Sequence, residues 1–258
     1  LSTLIWTWLI VTQASALASV AVIPYLSSGR TRPKLLVRTW VISQLVFGTT
    51  VALGLAAGRQ LGLGAPVIEA VVGGMPVPPL AWPLACFVGV ALAAVLGIVD
   101  IVAFGPARAP LRSRLTPTPP VLARLGALLY GGIAEEALMR LGCLTIVAFV
   151  AQIPLRPVGE MSRSIAVGIG IVVSTAIFAL GHLPRTGQMA PLTRGLVVRA
   201  LVLNSLAGLV FGTLYVAFGL EAAVIAHGAA DFVLVLLLPW MRNRRARAKG
   251  HDGGSSCS

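Results

Sequence analysis

Apolar residues come in long runs along this chain, and charged and turn-forming residues gather between them. A membrane-crossing helix needs about 20 apolar residues. Seven runs approach or exceed that length: Leu4–Leu26, Leu35–Ala57, Leu80–Phe104, Val121–Ala151, Ser164–His182, Gly195–Phe218 and Glu221–Trp240. Pro83 falls near the start of the third, where a first helical turn tolerates it. The fourth is too long for one upright span. It reads as a tilted helix, or as an interfacial piece jointed to a span at Gly131-Gly132. The first run is too long for a secretory h-region and is followed by more spans, so it reads as a span and not a cleaved signal.

The segments between runs read as connectors. Gly62 to Pro79 is rich in Gly and Pro and reads as an external loop. Thr116-Pro117-Thr118-Pro119-Pro120 reads as a stiff linker. The expected organisation is three N-terminal spans plus linker over 1–120, a four-helix core over 121–240, and a basic, disordered tail over 241–258. The expected fold is therefore an all-α polytopic bundle of about seven spans. Gly208 and Gly212, four apart in the sixth span, should allow close helix packing.

Composition narrows the picture further. The chain has 258 residues, 57% of them hydrophobic and 11% charged, against about 25% charged in soluble domains. A soluble enzyme is excluded. The net charge of +12 could suggest nucleic acid, but it sits in loops. One set of loops and the tail hold 16 basic residues, the other set only Arg59, Arg156 and Arg163. The positive-inside rule places the basic side, with the C-terminus, in the cytoplasm and Leu1 outside. The charge thus marks topology and a lipid bilayer, with no nucleic-acid partner. Cys86, Cys143 and Cys257 form no metal or disulfide pattern, and Cys257 is not placed for prenylation. The chain begins at Leu1 and not at Met, which leaves room for residues before it.

Only eight acids occur in the whole chain, so each one within an apolar run is informative. An ionisable group at membrane depth costs about 2.5–3.5 kcal/mol on insertion scales. The fourth run contains Glu135, Glu136 and Arg140. The fifth ends Phe178-Ala-Leu-Gly-His182. The seventh contains His227 and Asp231. Glu136 and Arg140, four apart, should share a helix face as a neutralising pair. Glu135 then lacks a local cation and needs a partner or a task. His227 and Asp231 are also four apart, and Asp231 is expected to hydrogen-bond one ring nitrogen and fix the other. Three polar sites on three runs point to one convergent polar cavity in the C-terminal core. Asp100, near a span end, is a weaker candidate. Glu221 should cap the N-terminus of its own span.

Glu-Glu-x-x-x-Arg, then Phe-x-x-x-His, then His-x-x-x-Asp, each in an apolar run, resembles the CPBP intramembrane proteases. These are the relatives of type 2 CAAX prenyl endopeptidases and of bacteriocin-processing and immunity proteins. The resemblance covers about residues 121–240. It implies a helical bundle with a cavity open to the cytoplasmic side, and peptide-bond hydrolysis on a membrane protein, lipidated protein or peptide. It implies that Glu135, aided by His182, activates water. It implies that His227 and Asp231 stabilise the oxyanion, that Glu136 and Arg140 support them, and that Phe178 packs its helix. Where many relatives carry Asn, this chain carries Asp231; an ionised Asp cannot donate to an oxyanion, so it must be protonated or act through His227. Glu135, His182, His227 and Asp231 also form a credible ligand set for zinc, but the resemblance implies a glutamate-type site, and no cofactor is the preferred reading. No His-Glu-x-x-His occurs, and neither Gly-x-Ser-Gly nor Gly-x-Gly-Asp is present. Two other readings use the same residues: a proton-coupled transporter, and a catalytically silent scaffold or immunity protein.

Overall fold

The structure is a computed structural model and describes residues 1–26, 32–79, 81–107, 119–159 and 161–241. The basic tail from Arg242 onward and Thr116 to Thr118 of the linker lie outside the described residues. The described chain is all helical, without strands, and is a polytopic membrane bundle. Its helices are α1 (Ser2–Leu26), α2 (Pro33–Leu61), α3 (Pro66–Gly73), α4 (Trp82–Val102), α5 (Val121–Val158), α6 (Met161–Gly181), α7 (Leu183–Met189), α8 (Arg194–Phe218) and α9 (Leu220–Met241). Seven are long and apolar enough to cross a membrane: all but α3 and α7, with α7 continuing α6. Apolar side chains such as Leu45, Phe87 and Val172 point outward, as a lipid-facing surface requires.

Helix ends follow local chemistry. Pro33 opens α2, and Gly62 closes it at φ 63, a left-handed position that glycine adopts without strain. Arg163 Nε donates to the Leu61 carbonyl at 2.7 Å, so a cation answers the carbonyl end of α2. Thr193 caps α8 by accepting from the Leu196 N–H at 3.3 Å.

The loop expected from Gly62 to Pro79 contains a helix, α3. Pro66 begins it, and Glu221 from α9 accepts the N–H groups of Val67 (3.1 Å) and Ile68 (2.9 Å). Glu221 thus caps α3 as well as the first turn of its own span, where the cap was expected. Two free N–H groups of a short helix draw a carboxylate from a neighbour, and sequence spacing over some 150 residues carries no sign of it.

No joint divides α5. It runs unbroken for 38 residues, and the expected hinge at Gly131-Gly132 falls in a π-helical stretch, Tyr130–Glu135, followed after Glu136 by a second, Ala137–Leu144. Bonding from i to i+5 widens the helix without breaking it, a device frequent at functional sites.

Close backbone contacts seat the other helices around α5 and α9. Lipid is as apolar as the side chains, so packing and not water exclusion holds the bundle together. A Cβ on Gly54 would strike the Leu141 carbonyl of α5, and one on Gly89 would strike the Ala226 carbonyl of α9. A Cβ on Gly208 would meet Thr175 at 3.0 Å, and one on Gly212 would meet Ile171 at 3.4 Å. The expected glycine pair therefore does face a neighbouring helix, α6. Gly89→Ala is expected to lose about 1–3 kcal/mol of stability by forcing α4 from α9. Gly168→Ala, where a Cβ meets nothing within 4 Å, should lose none. Thermal unfolding of the two variants in detergent makes the comparison, and equal melting temperatures would contradict it.

Candidate active site

Glu136 lies on α5 with no solvent exposure, and so does Arg140. The Arg140 Nε donates to Glu136 Oε2 at 3.0 Å, as the four-residue spacing predicts. The guanidinium also lies over the Phe178 ring, 5.4 Å from its centroid, where a cation meets the negative face of the ring.

The second oxygen of Glu136 corrects the sequence reading. His227 Nδ1 donates to Glu136 Oε1 at 2.8 Å. Asp231 was expected to hold that ring, but its Oδ2 stands 3.8 Å from Nε2, beyond hydrogen-bond length. Glu136 therefore does two jobs, neutralising Arg140 and orienting His227. The helical spacing of His227 and Asp231 is as expected, but a partner on another helix reaches the ring first. Because Nδ1 donates to a carboxylate, Nε2 is the nitrogen that faces Asp231.

His182 ends α6. Its Nδ1 lies 2.8 Å from the Phe178 carbonyl of the preceding turn. A carbonyl only accepts, so Nδ1 carries a proton and Nε2 is the ring nitrogen left for another partner. Phe178 does more than pack its own helix. Its ring meets His182 edge-on at 4.6 Å and His227 at 6.1 Å, so it spaces the two histidines.

Glu135 is half-buried on α5. It makes no hydrogen bond or ion pair with another described residue. It lies within electrostatic range of Tyr130, His227 and Asp231, and His182 lies within range of Asp231. Tyr130 and Glu135 are one π-turn apart and share a face of α5.

A cavity of about 330 Å³ contains His182, His227 and Asp231 in its lining, with Glu135 outside that lining. It is not confined to the four C-terminal spans. α4 supplies one wall through Leu96 and Asp100, and Asp100 accepts from Arg199 Nε of α8 at 2.6 Å. Among the described residues no three His, Cys, Asp or Glu side chains gather to hold a metal ion. The four-residue zinc set therefore does not fit as an assembled metal site here.

Three contributors escaped the sequence reading. Phe211 of α8 stacks on His227, with centroids 4.5 Å apart and planes 19° apart. A lone aromatic between Gly208 and Gly212 was the available signal. A Cβ at Gly131 would sit 2.5 Å from Asp231 Oδ2 and 3.1 Å from His227 Nε2, so this glycine keeps α5 close to both. Asn204 lines the cavity from α8 and donates to the Ala200 carbonyl at 2.7 Å.

These partners imply a difference between the adjacent glutamates. Glu136→Gln leaves Arg140 buried without its counter-charge and should cost about 3–5 kcal/mol. Glu135→Gln breaks no such pair and should stay within about 0.5 kcal/mol of the parent. Chemical unfolding of both in the same detergent reads the difference, and a larger loss for Glu135→Gln would contradict the assignment of partners.

No curated protein and no solved structure matches the chain. Residues 117–233 match the model of the family described as type II CAAX prenyl endopeptidase Rce1-like. The matched segment contains Glu135, Glu136, Arg140, Phe178, His182, His227 and Asp231, so the C-terminal core of this chain is similar to that of the Rce1-like type II CAAX prenyl endopeptidases, a family of proteases.

Proposed function

We propose that this protein is an intramembrane endopeptidase. It hydrolyses a peptide bond in a membrane-associated, lipidated protein or peptide, with Glu135 and His182 activating water and His227 stabilising the oxyanion. The observation that carries this reading is the inequality of two adjacent carboxylates. Both oxygens of Glu136 are taken by Arg140 and His227, while Glu135 has neither hydrogen bond nor ion pair among the described residues. Only the second is free to accept a proton.

In this mechanism Glu135 takes a proton from water while the water oxygen bonds to the scissile carbonyl carbon. The Nε2 lone pair of His182 accepts a hydrogen bond from the same water and orients it. The carbonyl oxygen becomes an oxyanion. His227, carrying a proton on Nε2, donates to it from a ring fixed by Glu136 and braced by Phe211, which is the preorganisation that makes such donors effective. The proton held by Glu135 then passes to the leaving nitrogen as the C–N bond breaks, releasing an amine and a carboxylic acid. Asp231 is too far from Nε2 to hold the ring, so its part is to sit beside the proton on Nε2.

The cavity lies at the end of the bundle that carries Arg185 and Arg199. The positive-inside rule assigns that end to the cytoplasm, which supports a substrate entering from there, and the C-terminus on the same side. The family description supports a prenylated CAAX substrate. The mechanism takes no metal.

Reconstituted protein with a prenylated CAAX peptide tests the reading. Glu135→Gln should lower turnover about 10²–10⁴-fold, the usual contribution of a positioned base. A chelator should leave the rate of the parent intact. Full activity in Glu135→Gln would remove the base assignment. Loss of activity on chelation, restored by Zn²⁺, would overturn the metal-free mechanism.

A further inference from the structure

A second pocket opens at the opposite end of the bundle from His182 and His227. It is the larger, at about 490 Å³, and the peptidase chemistry gives it no task. Arg199 of α8 lines the first cavity, and Phe218 of the same helix lines this one. Nineteen steps along the helix, at about 1.5 Å each, put them about 28 Å apart. That is close to the ~30 Å depth of a hydrocarbon core, so the two pockets serve opposite membrane faces.

The connections between spans build this pocket and hold its shape. The Leu220 N–H donates to the Gly64 carbonyl at 3.0 Å, which ties the α8–α9 turn to the α2–α3 connection. A Cβ on Gly219 would strike the Pro66 ring, and Gly219 has φ 89, a conformation that glycine adopts without strain. Pro66, Pro78 and Pro79 form part of the lining, and their fixed φ stiffens it.

Two opposite charges line the same pocket and form no ion pair with each other. They are Arg59 at the end of α2 and Glu69 on α3. Arg59 is exposed and makes no hydrogen bond or ion pair with another described residue. Glu69 Oε1 accepts the Ala65 N–H at 3.0 Å, and Oε2 has no hydrogen-bond partner among the described residues. A guanidinium and a carboxylate that face one space unpaired suit a ligand carrying both signs. Leu4, Leu55 and Val216 make one side of the pocket apolar, and its edge reaches the exposed Ala217 and Phe218. Two tryptophans mark the depth. Trp82 adjoins Ala81 of the lining, Trp6 follows Leu4 by two residues, and both are exposed. Exposed tryptophan gathers at the boundary of membrane and water, so the pocket sits at the level of lipid headgroups.

We propose that this pocket binds a phospholipid headgroup that bears a phosphate and a primary ammonium, as in phosphatidylethanolamine. Arg59 takes the phosphate oxygens on its planar fork. The ammonium donates to Glu69 Oε2, and the acyl chains pass over Phe218 into the bilayer. A trimethylated ammonium has no N–H to donate, and a glycerol headgroup has no cation, so the carboxylate selects against both. The site stands apart from the peptidase chemistry and does not rest on it.

Lipid binding to the detergent-solubilised full chain provides the test, without any measurement of cleavage. The probes are phosphatidylethanolamine, phosphatidylcholine and phosphatidylglycerol with the same fluorescent acyl chain. The parent should bind the ethanolamine lipid about tenfold to a hundredfold more tightly than the other two, as a charge-assisted hydrogen bond implies. Glu69→Gln should bind ethanolamine and choline lipids alike. Its amide oxygen can still accept the Ala65 N–H, so the start of α3 is kept. Arg59→Gln should weaken both lipids, Arg59→Lys should recover part of the loss, and neither should lower the melting temperature measured without lipid. Soluble glycerophosphoethanolamine, which has the headgroup without the chains, should displace the lipid only at far higher concentration. Equal binding of the three lipids by the parent would overturn the proposal, as would a Glu69→Gln variant that keeps the preference or an Arg59→Gln variant that binds like the parent. Displacement by the soluble headgroup at matched concentration would also overturn it, since the ligand would then be a free zwitterion and not a lipid.

Discussion

A carboxylate with no exposure, in the middle of a bundle surrounded by lipid, persists only if both oxygens are answered. Glu136 answers this demand from two directions, through Arg140 on its own helix and His227 on α9. The consequences spread outward. The Arg140 guanidinium is held above Phe178, and Phe178 fixes the spacing of His182 from His227. His227 is turned so that Nε2 faces the cavity, and Phe211 covers its ring. Removing one partner would leave a buried charge without compensation, the costliest defect available to such an interior. The same bond that stabilises the bundle therefore decides which histidine nitrogen is available for chemistry.

Backbone approach makes this network possible. α5 is widened by π-turns through the stretch that contains both glutamates and the arginine. Gly131 lies one turn before Glu135 and brings α5 against Asp231 and His227. Gly89 brings α4 against α9 on the other side, and so sets the wall that contains Asp100. In lipid these contacts compete with equally apolar surroundings, and only small residues let the helices approach closely enough for side chains to bond across them.

Much of this was legible in the residues. Seven spans, the Glu136–Arg140 pair and the special standing of Glu135 follow from apolar run length, four-residue spacing and the scarcity of acids. What was misread has a common cause. Asp231 was given the His227 ring, Glu221 was given only its own helix end, and Gly62–Pro79 was read as loop throughout. Each of these weighed neighbours along the chain, whereas the actual partner lay on a different helix. Phe211, Asn204 and the pairing of Asp100 with Arg199 were missed for the same reason, since the packing of separate helices is what brings them to the cavity.

The sequence alone determined that this chain is a helical membrane protein, and it named the polar residues that membrane depth makes expensive. Insertion cost is a property of each segment by itself, so it can be read locally. Only the tertiary structure decided which oxygen meets which nitrogen. Glu135 and Glu136 are identical in type and adjacent in the chain, and they differ because α9 places His227 beside one of them. Hydrogen bonds are short and directional, and a fraction of a helical turn decides between a structural carboxylate and a free one.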